Sequence, residues 1–135
     1  MTRVVVPVRY PLSKHSRATL SEAIRVARER EAELTVLHVD LYQDSHDVTR
    51  AALKRAVESS FGPQDRTRYV VRRGFLVEEA ILEEVAAEDA DVVVLGSKQA
   101  SRWRSMLRRF LDDPDIESYL REKLECTVIT VRGDG

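Results

Sequence analysis

The stretch of the chain whose residue types most suggest chemistry is "VVVLGSKQ", Val92 to Gln99, where an apolar run ends in a glycine followed by small and polar residues. Glycine lets backbone N–H groups approach phosphate oxygens closely, and a helix that follows adds its partial positive charge. Arg9, Ser97 and Lys98 could converge on a phosphate or a carboxylate, since an arginine fork suits two-point contact with either anion. The alternative is a tight strand exit at Gly96 that holds no ligand, with Arg9 and Lys98 paired to surface aspartates.

Other residue types that could do chemistry do not form a catalytic or metal-binding pattern. The histidines lack metal-ligand spacing: His15, His38 and His46. We expect His38 to be a hydrogen-bonded histidine within or at the end of a strand, and Cys126 has no evident base nearby. The carboxylate pairs Glu78-Glu79 and Glu83-Glu84 are expected on the outward side of a helix, as a solvated face. The sequence therefore predicts a protein that is not an enzyme and holds no metal.

The elements that must position these residues follow from the hydrophobic pattern, in which short apolar runs alternate with stretches of helical period. The predicted strands are Arg3 to Val8, Leu34 to Val39, Arg68 to Val71, Asp91 to Leu95 and Cys126 to Val131. The predicted helices are one capped by Ser13 or Ser16, one at Val48 to Phe61, one opened by Gly74 and one at Ile116 to Leu124. This order predicts an α/β fold with a doubly wound, five-stranded parallel sheet and helices on both faces.

A doubly wound sheet also predicts where a ligand would bind. Ligands of such sheets occupy the crevice beyond the carboxyl ends of the strands, where the strand order reverses. The candidate binding residues for an anion or a nucleotide are therefore Pro7, Val8, Arg9, Val39, Gly96, Ser97, Lys98 and Gln99.

Length and composition limit the class of protein. The 135 residues fit one domain, 1–135, and 22 basic against 23 acidic residues exclude a generally basic nucleic-acid binder. A single cysteine cannot form an internal disulfide, and no stretch approaches the roughly 20 apolar residues of a membrane span. Because the N-terminus also lacks a signal-peptide pattern, we expect a cytoplasmic protein with no membrane span and no nucleic-acid partner.

Several segments together resemble the universal stress protein family over nearly the whole chain. They are "VVVPV", the pattern S-x-x-x-L-x-x-A-I-x-V-A from Ser16 to Ala27, "LTVLHV", "GFLVEEAILEEVAAEDADVVVLGS" from Gly74 to Ser97, and "CTVITV". The resemblance implies the strand order 3-2-1-4-5 and a small regulatory or stress-associated protein.

Many members of the resembled family bind ATP through a glycine, two residues, a second glycine, nine residues, and then glycine with serine or threonine. This chain keeps Gly96 but has Gln99 at the second glycine, Pro114 and Asp115 at the final pair, and Arg9 in place of the family's acidic residue. With Asp112 and Asp113 nearby, a triphosphate would meet repulsion. The resemblance thus implies no cofactor, with ATP or AMP disfavoured.

The segment "ASRWRSMLRRFLDDPDI" contains a basic amphipathic insertion at about 99–113. Its apolar residues recur at helical spacing, with arginines between them: Trp103, Met106, Leu107, Phe110 and Leu111. The apolar stripe either packs onto the protein's own sheet and helices or forms a contact surface, Arg102 to Leu111, for a protein partner or, least favoured, an anionic membrane.

In the order 3-2-1-4-5, the run from Cys126 to Val131 lies at the edge of the sheet and is free of charge and proline. Unpaired edge groups invite a second strand, so we expect a homodimer through this strand, as the resemblance also implies. The insertion could instead cover this edge and keep the chain monomeric.

Three functions are compared. The favoured one is a non-catalytic regulatory or stress-response module, dimeric, with weak or no ATP binding, and the alternative is an ATP- or AMP-binding universal stress protein with an altered phosphate loop. An unrelated phosphate-ester enzyme is disfavoured by the missing nucleophile and metal ligands.

Overall fold

The protein is described by a computed structural model that covers residues 1–44, 46–111 and 125–132. The strands are β1 (Arg3–Pro7), β2 (Glu33–Leu41), β3 (Thr67–Gly74), β4 (Val92–Gly96) and β5 (Thr127–Val131). The helices are α1 (Lys14–Glu29), α2 (Arg50–Phe61), α3 (Val77–Glu88) and α4 (Ser97–Leu111). The predicted helix at Ile116 to Leu124 lies outside the described residues.

The strands form one parallel sheet in the order β3-β2-β1-β4-β5, which confirms the predicted fold class and strand order. The chain builds outward from β1 to β3 on one side and then returns to place β4 on the other side of β1. The strand order therefore reverses between β1 and β4, and β3 and β5 are the two edges.

The alternation of side chains along each strand divides the core into two layers. Val4 and Val6 of β1 pack with α1 and α2, whereas Val5, between them, packs with α3 and α4. Because both faces are covered, the central strands carry consecutive β-branched residues instead of an apolar–polar alternation.

Each strand differs from its predicted bounds by one to three residues at an end, and two helix starts differ as well. Helix α2 begins at Arg50 because Thr49 is its N-cap, with the Thr49 hydroxyl accepting a 3.1 Å hydrogen bond from Ala52 N. Gly74 ends β3 instead of opening a helix, because β3 stays in register with β2 as far as the pair Leu41 and Gly74. Helix α3 then begins at Val77.

The predicted amphipathic helix is present as α4, but it starts at Ser97, two residues before the predicted insertion. Trp103 and Met106 are buried in the layer between α3, α4 and the sheet, and Leu107 and Phe110 are partly buried there. The described part of the apolar stripe therefore packs within the chain itself. Among the described residues, no helix has the length and apolar character needed to cross a membrane.

Candidate functional site

The sheet places the carboxyl ends of β1 and β4 side by side, since β1 pairs in parallel with both β2 and β4. The predicted site residues at this edge differ in exposure. Pro7, Val8 and Val39 are buried, Gly96, Ser97 and Gln99 are half-buried, and Arg9 and Lys98 are exposed. Within the described parts of the chain, no hydrogen bond or ion pair joins Arg9, Ser97 and Lys98 to one another, so their convergence on an anion stays a prediction.

The exit from β1 is held by the protein's own polar groups. Arg9 N donates a 2.8 Å hydrogen bond to the Ser16 hydroxyl, while the Ser13 hydroxyl accepts one from Ser16 N and caps α1. Of the two predicted caps, Ser13 is therefore the N-cap. Ser16 instead fixes the turn that carries Arg9, a role that no sequence signal distinguished from capping.

His38 lies beside this turn and is buried, with its Nδ1 at 2.9 Å from the carbonyl oxygen of Val8. The ring of Tyr10 contacts the His38 ring edge-on, with 6.1 Å between centroids. This confirms the prediction of a hydrogen-bonded histidine near the end of the second strand. Its ring ties β2 to the end of β1.

The exit from β4 leads directly into a helix. Ser97, Lys98 and Gln99 are the first residues of α4, which follows Gly96 with no intervening loop. A Cβ atom added at Gly96 would lie 3.8 Å from the Thr19 hydroxyl, which is an ordinary contact distance. Thr19 itself donates to the carbonyl oxygen of His15. Gly96 thus lies against α1, and the choice between an anion site and a ligand-free strand exit stays a prediction.

Asp40, next to the predicted Val39, is a buried polar residue that is absent from the candidate binding residues above. It is 3% exposed, and its Oδ2 accepts a 3.1 Å hydrogen bond from Val48 N. Its Oδ1 has no hydrogen-bond partner among the described residues. Its only sequence signal is an acidic residue that interrupts an apolar run, Val39 to Leu41.

Helix α3 carries a second buried polar cluster, which corrects the expectation that its carboxylates form a solvated face. Glu84 and Glu88, one turn apart, are 4% and 7% exposed. Arg72 Nε donates a 2.5 Å hydrogen bond to Glu84 Oε1. The Thr35 hydroxyl donates a 2.6 Å bond to Glu88 Oε1, and Arg68 lies 2.8 Å from the same oxygen.

The two carboxyl groups of this cluster differ in acidity. Burial, together with the hydrogen bond and negative charge of Glu84, raises the pKa of Glu88 to about 7. Burial opposes ionisation of Glu84 as well, but its hydrogen bonds with Glu88 and Arg72 lower its pKa below the ordinary value. Oε2 of Glu88 has no hydrogen-bond donor among the described residues. A proton held on Glu88 would therefore satisfy the pair by bonding the two carboxyl groups to each other.

The remaining reactive side chains include possible metal ligands and one cysteine. No group of three or more histidine, cysteine and acidic side chains there could hold a metal ion. Burial raises the pKa of the Cys126 thiol, so that a reactive thiolate is disfavoured. A groove of about 470 Å³ lies between α1 and α2 near Ile24, Phe61 and Gln64, away from the carboxyl edge of the sheet.

Comparison with known proteins identifies the architecture. The model of the universal stress protein family matches residues 1–132. Among solved structures, a universal stress protein from Lactobacillus plantarum is 21% identical, with 97% of each chain covered and a TM-score of 0.58. No curated protein matches the chain.

Two further similar structures contain nucleotides. A universal stress protein from Archaeoglobus fulgidus in complex with dAMP is 18% identical, with 98% of each chain covered and a TM-score of 0.59. A universal stress protein in complex with cAMP is 14% identical, covers 95% of this chain and 96% of its own, and has a TM-score of 0.54. At these identities the likeness establishes the fold alone.

Proposed function

The chain belongs to the universal stress protein family, and we propose that it acts there as a non-catalytic regulatory or stress-response module that forms a homodimer and binds ATP weakly or not at all. In this role the carboxyl edge of the sheet is a nucleotide-binding-like surface without a phosphate loop. The β4 exit supports weak ATP binding, the reactive side chains support the non-catalytic role, and the β5 edge supports the homodimer.

The observation that carries the proposal is the start of α4 at Ser97, directly after Gly96. A loop that wraps phosphates needs several residues with N–H groups free to turn inward, and glycines that let phosphate oxygens approach. Here the chain enters α4 directly after Gly96, so only the N–H groups of one helical turn lie at this edge, and Gln99 adds a side chain at the second glycine position. The second half of the family's loop, at Pro114 and Asp115, lies outside the described residues.

The non-catalytic part of the proposal is supported by the state of the reactive side chains. His38 is held by the carbonyl oxygen of Val8, and the Cys126 thiol is shifted away from ionisation. Glu84 and Glu88 lie beneath α3 with Arg68 and Arg72, on the far side of the sheet from Asp40 and His38. The Thr35 hydroxyl does bond the Glu88 carboxylate, but both side chains are buried, which keeps a substrate away from them.

The homodimer is supported by the position and composition of β5. It is an edge strand whose five residues, Thr127–Val131, carry no charge. A second copy of β5 related by a twofold axis would pair with it in the antiparallel sense and give a closed, self-complementary interface.

The alternative function is a nucleotide-binding member of the family that uses an altered site. The structures similar to this chain that contain cAMP and dAMP favour it. In that case the N–H groups of the first turn of α4, together with Arg9 and Lys98, would receive the phosphate.

Thermal unfolding with and without ATP, AMP or cAMP, each with magnesium, separates the two functions. A ligand that binds only the native state stabilises it by about 2.7 kcal/mol at a hundredfold excess over its dissociation constant. We expect millimolar nucleotide to leave Tm nearly unchanged. A rise of several degrees that is lost in Arg9→Ala/Lys98→Ala but kept in Lys54→Ala, an exposed control on α2, would establish the nucleotide-binding alternative.

A further inference from the structure

Helix α4 has an unbalanced charge that the functions considered above do not use. Its 15 residues include no acidic side chain and several basic ones: Lys98, Arg102, Arg104, Arg108 and Arg109. All of these basic side chains are exposed. On the opposite side of the helix, Trp103 is 1% exposed and Met106 is 5% exposed, so the helix is fixed with its basic side toward solvent.

The basic side chains flank a line of small residues. Residues one turn apart lie above one another on a helix, which places Ser101 and Ser105 in one row and Arg104 and Arg108 in the next. Arg104 reaches Thr130 of β5, and Arg102, on the other flank, reaches Glu78 of α3. We call the surface formed by Ser101, Arg102, Arg104, Ser105, Arg108 and Arg109 the α4 basic strip.

Two arginines of the α4 basic strip have no carboxylate partner among the described residues. Arg104 and Arg108 contact only hydroxyl groups, those of Thr130 at 3.4 Å and Ser105 at 3.2 Å, among the described residues. By contrast, Arg72 and Arg73 each contact a carboxylate. Within the described residues, a guanidinium that contacts only a hydroxyl keeps N–H groups available for a carboxylate.

From this arrangement we infer that the α4 basic strip docks an acidic segment of a partner protein. Carboxylates spaced one helical turn apart in that segment would match Arg104 and Arg108, and Ser101 and Ser105 would leave room for its backbone between the flanks. The inference rests on the proposed regulatory role, to which it adds a class of protein partner. It does not depend on nucleotide binding or on the dimer.

Two other polyanions fit the strip less well. A membrane surface would need an apolar helix face, and the apolar face of α4 is packed in the protein's own core. A nucleic acid would continue past α4 over the outward carboxylates Glu79 and Glu83 of α3, which repel phosphates. Trp103 is also buried and offers no ring for base stacking.

Fluorescence anisotropy with a labelled glutamate-rich peptide of about twelve residues, which spans about 18 Å as a helix, tests the inference. We expect binding at low salt that weakens about tenfold in Arg104→Gln/Arg108→Gln, equivalent to about 1.4 kcal/mol. The matched control is Arg50→Gln/Arg55→Gln, which removes the same charge from exposed positions of α2 and should change the affinity less than about twofold.

Three results would overturn the inference: no binding of the peptide, equal weakening by both double variants, or tighter binding of single-stranded DNA or anionic vesicles through the same two arginines. Unchanged Tm in both double variants establishes that their folds are intact. Because the peptide assay contains no nucleotide, absence of peptide binding does not affect the result of thermal unfolding with nucleotides. A nucleotide-induced rise in Tm likewise does not affect the peptide result.

Discussion

The two edge strands of the sheet are built in opposite ways. β3 carries Arg68, Arg72 and Arg73, and each of these lies in an ion pair with a carboxylate from α3 or from the segment before α2. β5 carries only threonine, valine and isoleucine. Since both strands lie at the border of one parallel sheet, the difference between them is chemical and does not come from position.

Charged side chains on an edge strand disfavour the addition of a second strand, whereas an uncharged edge permits it. Arg68, Arg72 and Arg73 thus close one border of the sheet, and the pairs they make also neutralise the buried acids of α3. The border at β5 has no such protection among the described residues. The comparison indicates that self-association, if it uses the sheet, uses β5.

The hydrogen bond from Thr127 N to Asp91 O, at 2.8 Å, shows which backbone groups of β5 face outward. In a parallel ladder alternate residues bond to the same neighbour, so Thr127, Ile129 and Val131 face β4. Val128 and Thr130 therefore direct their N–H and C=O groups away from the sheet.

Blocking the β5 edge is expected to have the largest effect, which is loss of the homodimer. A proline at the exposed position Thr130 removes an outward N–H and no bond to β4, which an edge strand tolerates. Sedimentation equilibrium at tens of micromolar should give a mass near twice 15.4 kDa for the wild type and near 15.4 kDa for Thr130→Pro.

Ile129→Pro is the informative contrast, because Ile129 faces β4 and its loss should lower stability as well as association. Two results would contradict a dimer through β5. One is a monomeric wild type, and the other is a Thr130→Pro protein that stays dimeric and has a folded circular dichroism spectrum.

Removing an ion pair from the β3 edge is expected to have the next largest effect, which is a loss of stability. Arg72→Gln takes away the cation bonded to the buried carboxylate of Glu84 and should lower the free energy of unfolding by about 2 kcal/mol. Urea unfolding measures this change. Arg73→Gln, whose ion pair with Asp47 is solvent-exposed, is the control and should cost about 0.5 kcal/mol or less. Equal losses of unfolding free energy in the two variants would mean that the burial of Glu84 does not strengthen its ion pair with Arg72.

The proton on Glu88 is expected to make the stability of this side of the sheet depend on pH. Its folded-state pKa of about 7 is higher than the ordinary 4.5, so the folded protein binds more protons than the unfolded chain between these values. The contribution is fully present below pH 4.5 and is lost as pH rises through 7, by on the order of 1 kcal/mol given the exposure of Arg68. Glu84, Thr35 and Arg68 face the Glu88 carboxyl group and set this window.

Unfolding of wild type and Glu88→Gln between pH 4.5 and 8 checks the effect, because glutamine imitates the protonated acid. The wild type should lose stability with rising pH relative to Glu88→Gln, whereas the exposed control Glu79→Gln should follow the wild type. Parallel curves for wild type and Glu88→Gln would contradict a proton on this pair.

The smallest effect is expected at Trp103, the single tryptophan. Because its ring is buried beneath α4 within one chain, its emission should be blue-shifted and protected from quenchers in both the dimer and Thr130→Pro. Red-shifted emission in Thr130→Pro would show that the packing of Trp103 beneath α4 depends on the β5 edge.

Much of this fold could be predicted from the sequence because local pattern and tertiary packing agree. Consecutive valines in β1 and β4 indicated strands covered on both faces, and the spacing of Trp103 and Met106 indicated the buried side of α4. The edge position of β5 followed from the strand order that the family resemblance implied, and the sheet confirms that order.

The candidate site was harder to predict, because a glycine followed by serine and lysine suits a phosphate loop and a helix start equally well. Burial of Ala100 and Trp103 one turn later decides in favour of the helix, and that depends on distant elements. Burial of Glu84 and Glu88 likewise depends on Arg72 and Arg68 of another strand, and local spacing alone does not report it.

The direct junction of Gly96 with α4 has a consequence for protein engineering. A designer who wished to install a phosphate loop would have to unwind Ser97 to Gln99, which moves the helix start to Ala100, a residue with no exposed surface. Substituting Gln99 with glycine would therefore not be enough, and the loop would need inserted residues that leave the anchorage of Trp103 in place.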